Sequence, residues 1–189
     1  MLSDLVRRNR TRRRFYQDVP VAEATLRELV DLARLSASGS NRQPLKYYLS
    51  WTPEKNALIF PHLRWAGYLT GWGGPAEGER PAAYILILHD TTISDDPGVD
   101  HGIAAQTIML GATERGLGGC IIGSVKGAEV SRALGLPEHY RVLLALALGK
   151  PREEVVIEEV GPDGDIRYWR DEQGVHHVPK RRLDDIIVS

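Results

Sequence analysis

Residues 102–124, GIAAQTIMLGATERGLGGCIIGS, place a helical pattern directly before an apolar strand and a glycine turn. Four apolar residues share one face of the helical part: Ala105, Ile108, Met109 and Ala112. Their spacing predicts a core helix over residues 102–115, with Asp100 as its cap. The GLGGCII run then predicts a short buried strand, and residues 123–124 form the turn that follows it.

Apolar runs on both sides of this stretch predict further core elements. The continuous runs at 83–88 and 142–148 are typical of strands that are buried on both faces. After Pro20, apolar residues at helical spacing predict an amphipathic helix: Leu26, Leu29, Val30, Ala33 and Ala37. Local signals predict three more elements: the polar loop 36–44, the strand 46–51 and the short helix 128–134 before Gly135.

Two regions are predicted to lie at the periphery. Residues 62–80 begin with an aromatic-rich helical patch and end in Gly and Pro, which indicates a mobile surface excursion that could cover a site. Residues 163–178 contain two X-Gly turn signals, which indicate a small hairpin. His176 and His177 would point to opposite faces of its strand.

Composition predicts one globular domain over residues 1–189. Hydrophobic residues make up 42%, charged residues 26%, and the formal net charge is -1, so the whole chain has no strong field for nucleic acid. No apolar run approaches the ~20 residues that cross a bilayer. The basic N-terminus has no apolar segment behind it, which argues against a secretory signal and leaves an Arg-rich transit peptide as the alternative. We expect a cytoplasmic protein that binds neither nucleic acid nor membrane.

The reactive residue types give little sign of a metal or nucleophilic centre. Cys120 is the only cysteine, which excludes an intrachain disulfide, and its apolar surroundings predict a core residue. The six histidines form neither an HxH nor an HExxH pattern, so we expect no metal site. Walker-type, GxGxxG and GxSxG motifs are absent from the sequence. The chain therefore lacks the common signatures of hydrolases, P-loop proteins and dinucleotide-binding folds.

Two basic clusters occupy opposite ends of the sequence. Six arginines lie between Arg7 and Arg14, and Lys180-Arg181-Arg182 follows near the other terminus. Guanidinium groups bind phosphate through paired, charge-assisted hydrogen bonds, so the clusters could share one anion if the termini meet. The alternative is a solvated basic face or, for the first cluster, a nucleic-acid arm.

Two groups of small residues also allow two interpretations. The loop 36–44, SASGSNRQP, could let the backbone approach a flat ligand, with Asn41 and Gln43 offering hydrogen bonds, or it could be an ordinary turn. The glycines at 118, 119 and 123, with Ser124, either relieve packing or permit close contact with a ligand. The residues alone leave both alternatives open.

Four segments in this order resemble the nitroreductase family. Residues 9–15, NRTRRRF, resemble the family's R-R-S-x-R-x-F motif, with Asn and Thr at its first and third positions. Residues 36–45, SASGSNRQPL, resemble A-P-S-x-x-N-x-Q-P-W, with departures at Ala37 and Leu45. Residues 102–124 resemble the family's central helix and flavin-contacting strand, and PKRRLDDII its closing basic motif.

The resemblance implies an α+β sandwich around a mainly antiparallel sheet flanked by helices, in an obligate homodimer with FMN at the interface. Five residues would hold the phosphate end of FMN: Arg10, Thr11, Arg13, Lys180 and Arg182. Three would approach from the partner subunit, namely Ala37, Ser38 and Asn41. Gly123 and Ser124 would lie near the isoalloxazine ring.

The implied reaction is ping-pong electron transfer from NAD(P)H through FMN to a small aromatic or quinone-like acceptor, with no catalytic side chain. The alternative is a flavin-binding protein or a flavin reductase or carrier without a nitroaromatic role. Residues 64–78 are the candidate substrate lid, with Trp65, Tyr68 and Trp72 available to stack on a ring. These aromatics could equally pack in the core or at the dimer interface.

Overall fold

A computed structural model describes residues 1–188. The helices within this range are α1 (Leu2–Arg8), α2 (Glu23–Arg34), α3 (Pro53–Ile59), α4 (Asp100–Glu114) and α5 (Gly127–Leu134). The strands are β1 (Phe15–Tyr16), β2 (Leu45–Ser50), β3 (Ala83–Asp90), β4 (Gly118–Ile122), β5 (Tyr140–Pro151), β6 (Val155–Glu159), β7 (Trp169–Arg170) and β8 (His176–Lys180). Single 3-10 turns occur at Gly39–Asn41 and Phe60–His62.

Five strands form the main sheet. Its order is β1-β5-β3-β2, with β4 also paired to β5, and every pairing is antiparallel. All eight residues of β3 are buried, as the continuous apolar run predicts for a central strand covered on both faces. The predicted α+β class with a mainly antiparallel sheet is confirmed.

Each face of this sheet carries its own apolar cluster. Successive strand residues point to opposite faces, so Ile85 and Leu146 pack with the buried sides of α2 and α4, while Leu86 and Ala147 pack on the other side with α3 and α5. Ile85, Leu86 and Leu146 are all fully buried. Burying a Leu or Ile side chain contributes about 1.5–3 kcal/mol, so these two layers provide the main stabilisation of the fold.

A second, smaller sheet forms near the C-terminal end. Strand β8 pairs in parallel with β6 and antiparallel with β7. The predicted hairpin is confirmed for β7 and β8, which are joined by a turn in which the Gly174 amide donates to the Asp171 carbonyl. Residues 163–168 do not pair as a strand, so the hairpin is shorter than predicted and β6 is an addition to it.

Several predicted helix ends were wrong. Helix α2 ends at Arg34, so Ala37 lies in the following loop and not on the helix face. Asp100 does not cap α4: the helix begins at Asp100 itself, and its carboxylate accepts hydrogen bonds from Ser38 and Gly39. Residues 63–80 form turns instead of the predicted helical patch, because their glycines and Pro75 break the helical pattern.

Other predictions hold. Helix α5 ends at Leu134, and Gly135 follows it with a φ of 64°, in the left-handed region that glycine tolerates. Helices α1 and α3 were not predicted. Among the helices of residues 1–188, none has the length and apolar character needed to cross a membrane.

Candidate functional site

A pocket of about 330 Å³ lies where the N-terminal arm, defined as residues 9–15, meets α4, β4 and the small sheet. Its lining consists of Asn9, Arg10, Thr11, Arg13, Gln106, Met109, Gly119, Ile121, Tyr168, His176, Val178 and Lys180. We call it the arm pocket. It brings together four residues predicted for a phosphate from opposite ends of the sequence: Arg10, Thr11, Arg13 and Lys180.

The arm is fixed to the main sheet and to one buried carboxylate. The Arg12 amide donates to the Gly119 carbonyl over 2.7 Å, and Thr11 forms a single parallel bridge with Gly119. The Glu153 side chain, which is fully buried, accepts from the amides of Arg13 and Arg14 and from Arg170 Nη2 at 2.9 Å. These contacts hold the backbone so that the Arg10 and Arg13 side chains line the pocket.

Most of the basic cluster does not face the pocket. Arg8 pairs with Asp4 at 3.0 Å, and Arg14 binds Glu79, with its Nε at 2.6 Å from Oε2. Because Arg14 is paired with Glu79, its guanidinium adds little net positive charge at the pocket. Arg12 does not line the pocket, and its Nη1 donates to the Glu153 carbonyl. Within the arm, Arg10 and Arg13 are therefore the cations that line the pocket.

Three residues of the pocket lining each carry a buried nitrogen atom with no hydrogen-bond partner anywhere in residues 1–188: Arg10 Nε, Arg13 Nε and His176 Nδ1. Buried polar groups without partners are costly, and native proteins seldom leave them so. Arg13 and His176 are 8% and 1% exposed, so bulk water does not satisfy them. An acceptor-rich group at this pocket would satisfy donors that the described residues leave without partners.

His176 is held as a neutral donor. Arg13 Nη1 lies 3.1 Å from His176 Nε2, and since a guanidinium only donates, Nε2 accepts and the ring proton resides on Nδ1. Burial, with the nearby Arg13 charge, lowers the pKa of His176 to about 4. The Arg13 guanidinium also stacks on Tyr168, 4.7 Å from the ring centroid. The pocket thus adds a neutral N–H donor to its cations.

The loop 36–44 is strained and tied to α4. Ser40, Asn41 and Gln43 all have φ of 52–53°, a region that side-chain-bearing residues seldom occupy. Ser38 Oγ donates to Asp100 at 2.6 Å and accepts from the Gln43 amide at 2.9 Å. Such a conformation persists only where the surroundings enforce it, and here the hydrogen bonds of Ser38 and Gly39 to Asp100 do so. Ligand contact by this loop stays a prediction.

Within one protomer, this loop does not reach the arm pocket. Ala37 and Ser38 line a different cavity of about 230 Å³ beside Tyr47 and Asp100. Asn41 is exposed, and its side chain accepts from Gln43 Nε2 at 3.1 Å. Their predicted role at a partner subunit's cofactor stays a prediction.

Three other predicted residues also lie outside the lining of the arm pocket. Gly123 and Ser124 are exposed just after β4, and the Ser124 carbonyl accepts from the Arg64 amide at 3.0 Å. Arg182 is exposed, 3.8 Å from a Glu159 carboxylate oxygen. Ile121, two residues before Gly123, is the β4 side chain that reaches the pocket.

The sequence profile described as "Nitroreductase family" matches residues 6–67 and 75–150, well over half the chain and including the arm, the strained loop, α4 and β4. The chain belongs to the nitroreductase family.

Two relatives and one solved structure give this membership more detail. Over 28% of the chain, the sequence is 47% identical to an NADPH-flavin oxidoreductase of Vibrio harveyi, but this match covers only 23% of that protein. Over 77% of the chain it is 27% identical to a 4-nitrobenzoate reductase of Nocardioides sp. (strain LMS-CY), of which it covers 79%. An FMN-dependent nitroreductase from Clostridium difficile R20291 shares the fold, with a TM-score of 0.65, 24% identity, and coverage of 82% of this chain and 89% of that one.

In this nitroreductase-family chain, the three aromatic residues proposed for the lid lie in different surroundings. Trp65 is 8% exposed and packs against Phe60 with ring centroids 5.9 Å apart, so the core interpretation was right for it and stacking on a substrate was wrong. Tyr68 is half exposed and lies 5.0 Å from the Tyr168 ring. Trp72 packs under the Arg170 guanidinium at 5.0 Å.

The remaining reactive residues are structural. Cys120 is buried in the core, and burial raises the pKa of its thiol to about 11, so it is held as a neutral thiol. His177 points away from His176, as predicted, and stacks on Trp169 with centroids 4.0 Å apart. Across the described part of the chain, no group of three or more His, Cys, Asp or Glu side chains is arranged to hold a metal ion.

Sequence reasoning missed Tyr168 and His176 as pocket residues. His176 lies on β8 of the small sheet and Tyr168 directly precedes β7, and the contact between Arg13 and His176 spans 163 positions of sequence. The VHHV pattern correctly indicated that the two histidines point to opposite faces of the strand, but nothing local indicated what either would contact.

Proposed function

We propose that this protein is an FMN-dependent oxidoreductase that transfers electrons from NAD(P)H to a small aromatic or quinone-like acceptor and works as a homodimer. The observation that carries the proposal is the set of unmet donors on Arg10, Arg13 and His176 next to Lys180. A phosphate monoester supplies several acceptor oxygens and a negative charge in a small volume, which is what these donors lack.

The arm pocket fits the phosphate end of FMN. Arg10 and Arg13 would bind its oxygens, with Lys180 as a point charge and the Thr11 hydroxyl as a further donor. The neutral Nδ1–H of His176 would donate without adding charge. Arg182 would join the phosphate by leaving its exposed and weak contact with Glu159.

Bound FMN would supply the centre that accepts and donates hydride, so the protein needs no catalytic acid–base pair of its own. Consistent with this, none of the described residues that line the arm pocket is an aspartate, glutamate or cysteine. The chain's own task would be to bind, orient and charge-match the cofactor. Gly123 and Ser124, exposed beyond the end of β4, would leave room for a flat ring to approach the backbone.

A homodimer would account for features that one protomer leaves unexplained. Leu35, which precedes the strained loop, and Val99, which precedes α4, are 67% and 72% exposed, and Ile103 on α4 is also exposed. A two-fold partner that covers this surface would carry its own loop 36–44 toward the cofactor, with Ala37, Ser38 and Asn41 as the contacts. The apolar tail residues Leu183, Ile186 and Ile187 would add to the same interface.

Two kinds of molecule are candidates for the electron acceptor. Similarity to a 4-nitrobenzoate reductase over most of the chain favours a nitroaromatic acid or a related ring. The shorter but closer match to an NADPH-flavin oxidoreductase favours free flavin as the acceptor. Steady-state NADPH and NADH oxidation, measured anaerobically with 4-nitrobenzoate or with added free FMN, separates the two. Bound FMN that no reduced nicotinamide reduces would identify a flavin carrier.

A comparison of FMN with riboflavin tests the site itself. The two ligands share the ring and the ribityl chain, but riboflavin lacks the phosphate. We expect FMN to bind far more tightly, measured by quenching of flavin fluorescence, and the difference to shrink as salt is added. Equal affinities would place the phosphate outside the arm pocket and contradict the assignment of Arg10 and Arg13.

A further inference from the structure

A further cavity lies on the face of the main sheet opposite the arm pocket. Tyr84, Ala147 and Cys120 are aligned across β3, β5 and β4 and therefore share one face. Gly119 and Ile121, the neighbours of Cys120 on β4, point to the other face and line the arm pocket. The sheet thus separates the arm pocket from the cavity that Tyr84 lines.

This cavity measures about 510 Å³, and we call it the Tyr84 cavity. Much of its wall is apolar and rigid, being formed by aromatic rings, prolines and alanines: Pro20, Trp51, Pro53, Ala57, Phe60, Pro81 and Ala82. Flat rings and prolines lose little side-chain entropy when a ligand binds. The wall suits a small planar apolar body.

The rim is fixed by Gln17. Its Oε1 accepts from the amides of Gly78 and Arg80, at 2.8 and 3.1 Å, and its Nε2 donates to Glu77 at 2.7 Å. The Arg80 guanidinium stacks over Phe60, 4.4 Å from the ring centroid. Arg80 is therefore held in place before any ligand arrives.

Two polar atoms of the wall lack a partner within residues 1–188, Tyr84 Oη and Arg80 Nε. Tyr84 is 1% exposed, and burial raises the pKa of its phenol, so it stays protonated and can donate. Asn56, in the same wall, is satisfied, because it donates to the Ala82 carbonyl at 2.8 Å and accepts from Ser50 at 2.7 Å. Two donors of the wall, Tyr84 Oη and Arg80 Nε, therefore lack a hydrogen-bond acceptor, and both residues border the cavity.

The charges around the cavity disfavour an anion. Arg80 Nη1 is paired with Glu77 at 2.7 Å, so its charge is already matched. Asp18 adds a further carboxylate to the lining, while Lys55 lies over the Trp51 ring at 4.9 Å. The carboxylates of Glu77 and Asp18 balance the charges of Arg80 and Lys55. An incoming carboxylate would therefore lose its hydration without a net positive charge to replace it, whereas a neutral oxygen would meet two donors.

We propose that the Tyr84 cavity is a second binding site, for a neutral planar aromatic molecule whose carbonyl oxygen accepts hydrogen bonds from Tyr84 Oη and Arg80 Nε. The site lies on the face of the sheet opposite the arm pocket and does not rest on the proposed function. Occupation would satisfy both donors and bury the ring against Trp51 and Phe60.

Benzamide and benzoate, which differ in the charge of one substituent, are suitable probes. In ¹H–¹⁵N spectra of the whole protein with FMN present, we expect benzamide to shift the Trp51 indole and Arg80 amide signals saturably. Tyr84→Phe, which removes only the hydroxyl, should weaken this binding about fivefold, since one neutral hydrogen bond is lost. Tyr48→Phe on β2 is the matched control and should leave it unchanged, and benzoate should bind more weakly.

Three results would overturn the proposal: no saturable shift at Trp51 and Arg80, equal affinity in Tyr84→Phe and wild type, or tighter binding of benzoate. Shifts confined to residues of the arm pocket would likewise show that the probe binds only there. FMN affinity, measured separately, should be the same in Tyr84→Phe and wild type. Failure of FMN to bind at all would contradict the proposed function. The benzamide titration at Trp51 would still test the Tyr84 cavity, because this cavity lies on the other face of the sheet.

Discussion

Strand β3 and the N-terminal arm are both central to the molecule but are held by different interactions. Every residue of β3 is buried, and its side chains pack in two apolar layers. The arm is held by its amides, which donate to Glu153 and Gly119, and it keeps the Arg13 guanidinium buried with one nitrogen unsatisfied. Apolar burial stabilises the fold with or without a ligand, whereas a buried charge is costly until an anion meets it. The contrast is between apolar packing, which needs no ligand, and the cations of the arm, which an anionic ligand would complete.

The largest effect is expected at the carboxylate that holds the arm. Glu153→Ala leaves Arg170 and the amides of Arg13 and Arg14 without their acceptor, so unfolding free energy should fall by about 3–5 kcal/mol. FMN affinity should fall with it, because the arm loses its anchor. Urea unfolding monitored by circular dichroism checks the first effect. Glu159→Ala, at an exposed position of β6, is the matched control and should change stability little; a Glu153 variant as stable as that control would contradict the anchoring role.

A core substitution should separate stability from binding. Ile85 is fully buried at the centre of β3, so Ile85→Ala should lower the unfolding free energy by about 2–5 kcal/mol. FMN affinity of the folded protein should stay at the wild-type value, because Ile85 does not line the arm pocket. Ile157→Ala, exposed on β6, should be nearly neutral in both measurements. A large loss of affinity in folded Ile85→Ala would show that the two regions are not independent.

At Arg13 we expect the opposite of the Ile85 result, namely an effect on FMN affinity. Arg13→Ala removes a charged donor from the arm pocket and should weaken FMN binding by about 1.5–3 kcal/mol, or roughly 10- to 150-fold in Kd. Arg13→Lys should recover only part of this loss, because an ammonium cannot form the paired contacts of a guanidinium. Arg27→Ala, on the exposed side of α2, is the control for loss of one positive charge. Equal FMN affinity in the Arg13 and Arg27 variants would remove Arg13 from the site.

The smallest effect distinguishes two neighbouring histidines on β8. Burial lowers the pKa of His176 from 6.5 to about 4. Between these pH values the unfolded chain binds a proton at His176 and the folded protein does not. The contribution of His176 to stability is therefore present above pH 6.5 and is lost as the pH falls toward 4. The pKa of His177 is raised, first by its hydrogen bond to Glu158, so its contribution is present below pH 6.5 and is lost as the pH rises through the folded pKa. Imidazole NMR titration of the FMN-free protein should therefore show His177 titrating above 6.5 and His176 well below it. A His176 midpoint near 6.5 would contradict its burial between Arg13 and Tyr168.

The sequence predicted the elements whose signal is local. Strand β3 and helix α4 were found because a continuous apolar run and a 3.6-residue pattern each reflect burial directly. Helix α3 was missed, although Thr52 caps it by accepting from the Lys55 amide and Pro53 occupies its first position, a recognisable start signal. Helix α1 was also missed, although Leu2, Leu5 and Val6 stand at the i, i+3, i+4 spacing of a helix; none of these residues is buried.

For the candidate site, the motif resemblance predicted the residues that the arm pocket brings together, Arg10, Thr11, Arg13 and Lys180. It could not show that Arg14 is neutralised by Glu79, or that His176 faces Arg13, because both contacts join distant parts of the chain. Tertiary pairing of charges decides which member of a basic cluster is available to a ligand.

The most direct test of the central claim is the visible absorbance spectrum of the purified protein after incubation with FMN and removal of free cofactor, followed by NADPH or NADH addition without oxygen. The account predicts retained oxidised-flavin absorbance that bleaches when the reduced nicotinamide is added. A colourless protein that cannot be loaded with FMN would contradict the assignment of the arm pocket and, with it, the proposed function.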